Sequence, residues 1–293
     1  MRLKIFGVLF LLTVNLSAQD HSAKAVDCEQ LLSWMTAGVP SQRISRLVRE
    51  RGIAFQTNPN NTQLLSSAGA GADVVSELAK NTMKPGTHCP ADLSQAAQFV
   101  RQQTYDEAQS IVEKRLAAEP GSADLHLALA YIRLEQGDLD QAFDGYSDAK
   151  DLDPAFPEIH NGLSYIFYRS NDAENAIAEA RTALSIDPRN AEGYRYLALG
   201  LYLNENYRAA LHAAQESLAR DPNSAETYYD KGLIQVAQQD LGGAAESYHK
   251  ALQLNPGLIE AQAGLRLVRR EMQQPTAALR GPRKTPSNST QRP

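Results

Sequence analysis

Five prolines, Pro120, Pro154, Pro188, Pro222 and Pro256, stand 34 residues apart, each at the end of a stretch that would otherwise continue as helix. Proline lacks the amide hydrogen that a helix interior needs and pushes its predecessor out of the α region, so prolines at one interval cut the chain into equal units. A fixed period of this length marks an array in which each unit buries its apolar face on the next.

Numbered so that the proline falls at position 32, full units begin at Ala123, Pro157, Ala191 and Ala225. Each reads as helix, short turn, helix, stop. In the third unit Leu197, Ala198 and Leu201 form one helical stripe, and Ala210, Ala214 and Leu218 form another after the turn. Position 20 is alanine throughout (Ala142, Ala176, Ala210, Ala244) and position 8 is small (Ala130, Ser164, Ala198, Gly232). Those are the places where two helices of a hairpin approach closely. Position 2 is acidic (Asp124, Glu158, Glu192, Glu226, then Glu260), which puts a carboxylate in the first turn of each leading helix, where it complements the helix dipole.

The period, the helix-turn-helix units and the skeleton of leucine, small residue, alanine and proline resemble tetratricopeptide repeats. The stretches DLDQAFDGYSDAKDLDP and LGGAAESYHKALQLNP are similar to that family's second helices over nearly their full length. The resemblance covers roughly residues 91–273. It implies an all-α, right-handed superhelix of four full repeats (123–156, 157–190, 191–224 and 225–258), a divergent first repeat at 91–122 and a capping helix at 259–273. The family's tryptophan at position 4 is replaced by His126, His160, Tyr194 and Tyr228.

The resemblance also implies where a partner would lie, because the family's concave groove is lined by the leading helices. The corresponding positions hold Tyr131, Tyr165, Tyr168, Tyr196, Tyr202 and Tyr229, with Asn161, Arg169 and Arg195 among them. Tyrosine offers broad apolar contact and a hydroxyl at modest entropic cost, which suits recognition of a peptide. The asparagine that some relatives use at position 9 to clamp a C-terminal carboxylate is missing, since that position holds Tyr131, Tyr165, Leu199 and Leu233.

Residues 26–80 are organised differently. Short apolar stripes ending in glycine predict a compact all-α module, with Ser41 expected to cap its second helix. That helix carries Arg43, Arg46, Arg49 and Arg51, a basic face that is either simply solvated or open to anions such as lipid headgroups. Cys28 and Cys89 flank the module. A bridge between them would close a loop of about 60 residues, and two unpaired thiols is the alternative.

Arg2 and Lys4 precede an apolar run that ends in a small-residue exit before Gln19, so residues 1–18 read as a secretory signal and the protein is expected to be exported, periplasmic or secreted. Residues 19–25 and 81–90 read as linkers, and 274–293, rich in Pro, Ser and Thr, as a disordered tail. From Tyr105 to Pro256 there are 25 acidic against 12 basic residues. An array so acidic repels nucleic acid and favours basic or amphipathic protein partners; membrane contact falls to the basic flanks.

No phosphate-cradling glycine loop and no zinc-protease, dithiol or nucleophile-elbow motif occurs, so neither catalysis nor a cofactor is expected. His126 and His160 share a repeat position, and His88 adjoins Cys89, but two histidines without a third ligand make a poor metal site. The leading expectation is a non-catalytic scaffold that holds a peptide or helix of a partner in the groove. The alternative is a cell-envelope assembly factor or chaperone that also touches membrane headgroups.

Overall fold

The computed structural model describes residues 24–80 and 89–273. The expected signal segment, most of both linkers, His88 and the tail lie outside the described residues. Among those described there are fifteen α-helices and one isolated parallel bridge, Val26 to Ile53. They fall into two compact units, one ending at Arg115 and the other beginning at Leu116.

The first unit contains α1 (Cys28–Thr36), α2 (Ser41–Arg51), α3 (Pro59–Ala68), α4 (Ala72–Lys80) and α5 (Ala91–Arg101), and α6 (Tyr105–Ala118) begins in it. Leu31, Leu32, Trp34, Ile44, Phe55 and Leu93 are fully buried in its core. Asp27 opens α1 with a reciprocal capping box to Gln30. Ser41 does not cap α2: Pro40 holds that place and the serine hydroxyl bonds to Asp73 of α4. Cys28 and Cys89 form a disulfide with their Cα atoms 5.1 Å apart, and for a loop of this size the chain-entropy effect is about 4 kcal/mol. Helix α5 packs on α1 and α3. The basic face of α2 is partly engaged within the unit, since Arg49 pairs with Glu77 at 3.4 Å and the Arg51 guanidinium lies 6.0 Å from the Trp34 ring.

The second unit is the array. Leading helices α7 (Ala123–Gln136), α9 (Pro157–Arg169), α11 (Ala191–Leu203) and α13 (Ala225–Ala237) alternate with following helices α8 (Leu139–Leu152), α10 (Ala173–Ile186), α12 (Tyr207–Arg220) and α14 (Leu241–Leu254); α15 (Ile259–Gln273) closes the series. Every alanine at position 20 is wholly buried, as are Ala130, Ser164 and Ala198 at position 8. The Ser164 hydroxyl, one of these, donates to the Ala176 carbonyl at 2.8 Å, so a polar atom enters the tight seam only with its bond made. Ala149, Ala183, Ser217 and Ala251 at position 27 are equally buried. Three small positions per unit therefore set the spacing of the hairpins.

The punctuation is built from side chains as well as proline. Asp138, Asp172, Asn206 and Asp240 cap the following helices, each accepting a backbone N–H three residues on. Asp153, Asp187, Asp221 and Asn255, each just before its proline, accept the N–H two residues on at 3.0–3.1 Å. Position 4 finishes the joint: His126, His160 and Gln262 each contact the carbonyl of the preceding repeat's proline at 2.8–3.0 Å. In the third repeat Arg220 takes over, donating to the Pro188 carbonyl while stacking 4.0 Å above the Tyr194 ring. The two histidines that share position 4 are thus each tied to their own proline.

Adjacent repeats interlock by exchanging volume. Tyr146 and Tyr248, at position 24, are almost wholly buried, and glycine stands where their rings press on leading helices: a side chain at Gly162 would collide with Tyr146, and one at Gly232 or Gly264 with Tyr248. In the two middle repeats position 24 is Ala180 and Ala214, and the leading helices that follow carry Tyr196 and Asp230 where Gly162 and Gly264 stand. Gly162→Ala is expected to lower stability by about 1–3 kcal/mol, as overpacking of a rigid ring does. Equilibrium unfolding in urea of this variant, alone and with Tyr146→Ala, measures it, and the second change should remove most of the added penalty.

Candidate partner-binding groove

Successive leading helices touch one another, α9 with α11, α11 with α13 and α13 with α15, so their free sides make one continuous face. On these helices Tyr165, Tyr168, Arg195, Tyr196, Tyr202 and Tyr229 are all half-buried, as is Tyr131 on α7. The Tyr165 ring lies 6.2 Å from Tyr168, stacked, and 5.7 Å from Tyr196, tilted. Tyr202 meets Tyr207 at 5.9 Å, and Tyr229 meets buried Tyr248 at the same distance. Tyr202, Tyr229 and Tyr165 all lie within electrostatic reach of Tyr168, whose hydroxyl burial pushes up to about 12. Tyr131 lies within electrostatic reach of Tyr146.

At the centre is an ion pair that the sequence reading did not anticipate. Arg195 of α11 donates through Nε to Asp230 of α13 at 2.6 Å, with only 18% and 4% of the two side chains exposed. Burial pulls the guanidinium toward neutrality, which Asp230 more than offsets, and burial also pushes the Asp230 carboxyl up, against which Arg195 pulls it down through the same short contact. The same guanidinium lies 5.3 Å from the Tyr196 ring. Arg195 is therefore bound internally and braces the face more than it reaches out from it. Arg169, by contrast, is exposed, lies 5.7 Å from the Tyr165 ring and donates to its hydroxyl at 3.2 Å.

One turn toward the N-terminal ends of these helices, the tyrosines give way to carboxylates. Glu158 is buried, Glu192 half-buried and Glu226 exposed. Burial pushes the Glu192 carboxyl up, Arg195 pulls it back, Glu158, Glu226 and Asp221 push it up again, and the net value is about 7. Among the described residues, no group of three or more His, Cys, Asp or Glu side chains is placed to hold a metal ion. No helix among them is long and apolar enough to cross a membrane.

Sequence models of the tetratricopeptide repeat match residues 99–166, 157–190 and 196–259, which together span just over half of the chain. This chain belongs to the tetratricopeptide-repeat family. Among solved structures, its array resembles TTC0263, a thermophilic tetratricopeptide protein of Thermus thermophilus, with 19% identity and a TM-score of 0.55 over 61% of this chain and 97% of that one. The agreement shows the fold. More loosely similar are YrrB, described as having an unusual peptide-binding site (14% identity, TM-score 0.43, 68% of this chain and 99% of that one), and the first such domain of Spaghetti (RPAP3) bound to an HSP90 peptide (19%, 0.38, 40% and 94%). No curated protein matches the chain by sequence.

The tetratricopeptide array should register the raised Glu192 carboxyl in its own stability. Because the folded-state pKa exceeds the ordinary value of 4.5, the stability that Glu192 contributes is fully present below about pH 4.5 and is lost as pH rises through about 7. Glu192→Gln, which cannot ionise, is expected to exceed the parent by about 1–2 kcal/mol at pH 8, solvent screening the remainder of the shift, with no difference near pH 4.5. Thermal unfolding of the two proteins across that range checks the sign and the window.

Proposed function

We propose that the array is a non-catalytic scaffold whose tyrosine face holds a peptide or helical segment of a partner protein, basic or amphipathic in character. The observation that carries this reading is the half-buried set Tyr165, Tyr168 and Tyr196, in which Tyr165 meets both of the others, flanked by Tyr202 and Tyr229. Each ring leaves part of its surface to solvent while packing fixes its position, so little side-chain entropy remains to be lost on binding. The acids at position 2 add negative charge along one border and favour a cationic segment. Export fits the same reading, since a structural disulfide such as Cys28–Cys89 belongs to an oxidising compartment.

Affinity capture with the full chain, beside a variant carrying Tyr165→Ala, Tyr168→Ala and Tyr202→Ala with unchanged circular dichroism, tests the proposal. A partner held by the parent should bind the variant at least about 30-fold more weakly, the loss of a hot-spot cluster. Equal retention by both would remove the tyrosine face as the working surface.

A further inference from the structure

The face made by the leading helices continues past the fourth repeat. Helix α15 takes a leading-helix place, with Ile259 at position 1, and packs on α13 and α14. Its position 9, where the second repeat has Tyr165, holds Leu267, and this apolar side chain is 53% exposed. Helix α15 ends at Gln273, and 20 residues of chain, 274–293, follow it. Leading helices of one repeated unit run in one direction, so that segment leaves from the end of the face where Tyr168 and Tyr202 stand, in the last turns of α9 and α11.

Three properties fit residues 274–293 to this face. The first is charge: the segment carries Arg280, Arg283, Lys284 and Arg292 and no acidic residue, whereas residues 105–256 carry 25 acids against 12 bases. The field of the array draws such a segment toward it. The second is shape, since Pro275, Pro282, Pro286 and Pro293 favour the extended polyproline conformation, which leaves backbone carbonyls free. Aromatic-lined grooves receive segments of this kind, with rings against the prolines, and tyrosine hydroxyls can donate to the carbonyls. The third is length. Helices in contact lie about 8–10 Å apart, so the three steps from α15 through α13 and α11 to α9 come to about 30 Å. At about 3.1 Å per residue, roughly ten residues cover that distance. Pro282, Arg283 and Lys284 then come level with Tyr165 and Tyr168 of α9.

A tethered segment also has an advantage that a free one lacks: its effective concentration beside its own array is on the order of millimolar, so even a weak contact is populated. Resting on the groove reading above, we infer that residues 274–293 of this same chain occupy the tyrosine face, and that a partner must displace them to bind.

Two measurements on the full chain test this. In the first, photoreactive p-benzoylphenylalanine replaces Gly281, and the cross-links formed on irradiation are mapped by mass spectrometry. They should join residue 281 to the leading helices between residues 157 and 203, within single molecules and at a yield independent of concentration. In the second, a synthetic peptide of residues 274–293 is titrated against the parent, against a charge-reversed chain carrying Arg280→Glu, Arg283→Glu and Lys284→Glu, and against that chain with the three tyrosines also changed to alanine, helicity being checked by circular dichroism. The charge-reversed chain should bind the peptide with a Kd on the order of 0.1 mM, and the parent, its face already filled, about tenfold more weakly. Loss of the tyrosines should abolish the binding.

Cross-links that join two molecules, with a yield rising with concentration, would assign the tail to a second copy and overturn occupancy within the chain. Cross-links outside the leading helices, or none, would overturn it as well, as would a peptide that binds parent and charge-reversed chain equally or binds without the tyrosines. Each of these outcomes leaves the groove reading to the capture experiment above, which fails only if a partner is held equally by the parent and its tyrosine variant.

Discussion

The candidate face of this array depends on one buried interaction, the ion pair between Arg195 and Asp230. It joins the leading helices of two successive repeats at 2.6 Å, beneath the tyrosines and away from water. Desolvating two charges is costly, and their attraction offsets that cost only when geometry is good and other bonds assist. Here the contact is short, and the guanidinium also lies against the Tyr196 ring. A pair so placed does more for specificity than for raw stability: it fixes the register of α11 against α13, and the ring positions follow from that register.

Room for the pair comes from the volume exchange between repeats. Where position 24 is tyrosine, as at Tyr146 and Tyr248, the next leading helix must carry glycine, and its inner surface is filled from behind. In the two middle repeats position 24 is alanine, and position 6 of the next leading helix is free to carry Tyr196 or Asp230. Tyr196 and the Arg195–Asp230 pair thus sit in the middle of the array, where position 24 of the preceding repeat is small.

Much of the fold was legible because its constraints repeat. The interval of the prolines, the alanines at position 20 and the small residues at position 8 each recur four times or more, and each proved to be a point of closest approach or a helix stop. The tyrosines of the candidate face were singled out through the family resemblance, which assigns the groove to set positions of the leading helices. What escaped was whatever differs from one repeat to the next. Asp230 shares position 6 with Gly162 and Tyr196, so no column of the repeat announces it, and its partner lies 35 residues earlier. The exchange of Tyr146 for Gly162 is visible in the sequence only to a reader who already knows that positions 24 and 6 of neighbouring repeats touch. Ser41 misled for a local reason: it has the chemistry of a cap, but Pro40 takes the capping place and Asp73 takes the hydroxyl.

A double-mutant cycle on Arg195 and Asp230 measures how firmly the pair joins the two helices. Arg195→Met and Asp230→Leu are made singly and together, and unfolding in urea is followed at pH 7. Each single change strands a buried charge and should cost about 3–5 kcal/mol, while the double variant, with both charges gone, should recover at least about 2 kcal/mol of the summed loss. Single variants of small cost whose effects simply add, with coupling below about 0.5 kcal/mol, would show that the pair does not hold the face together.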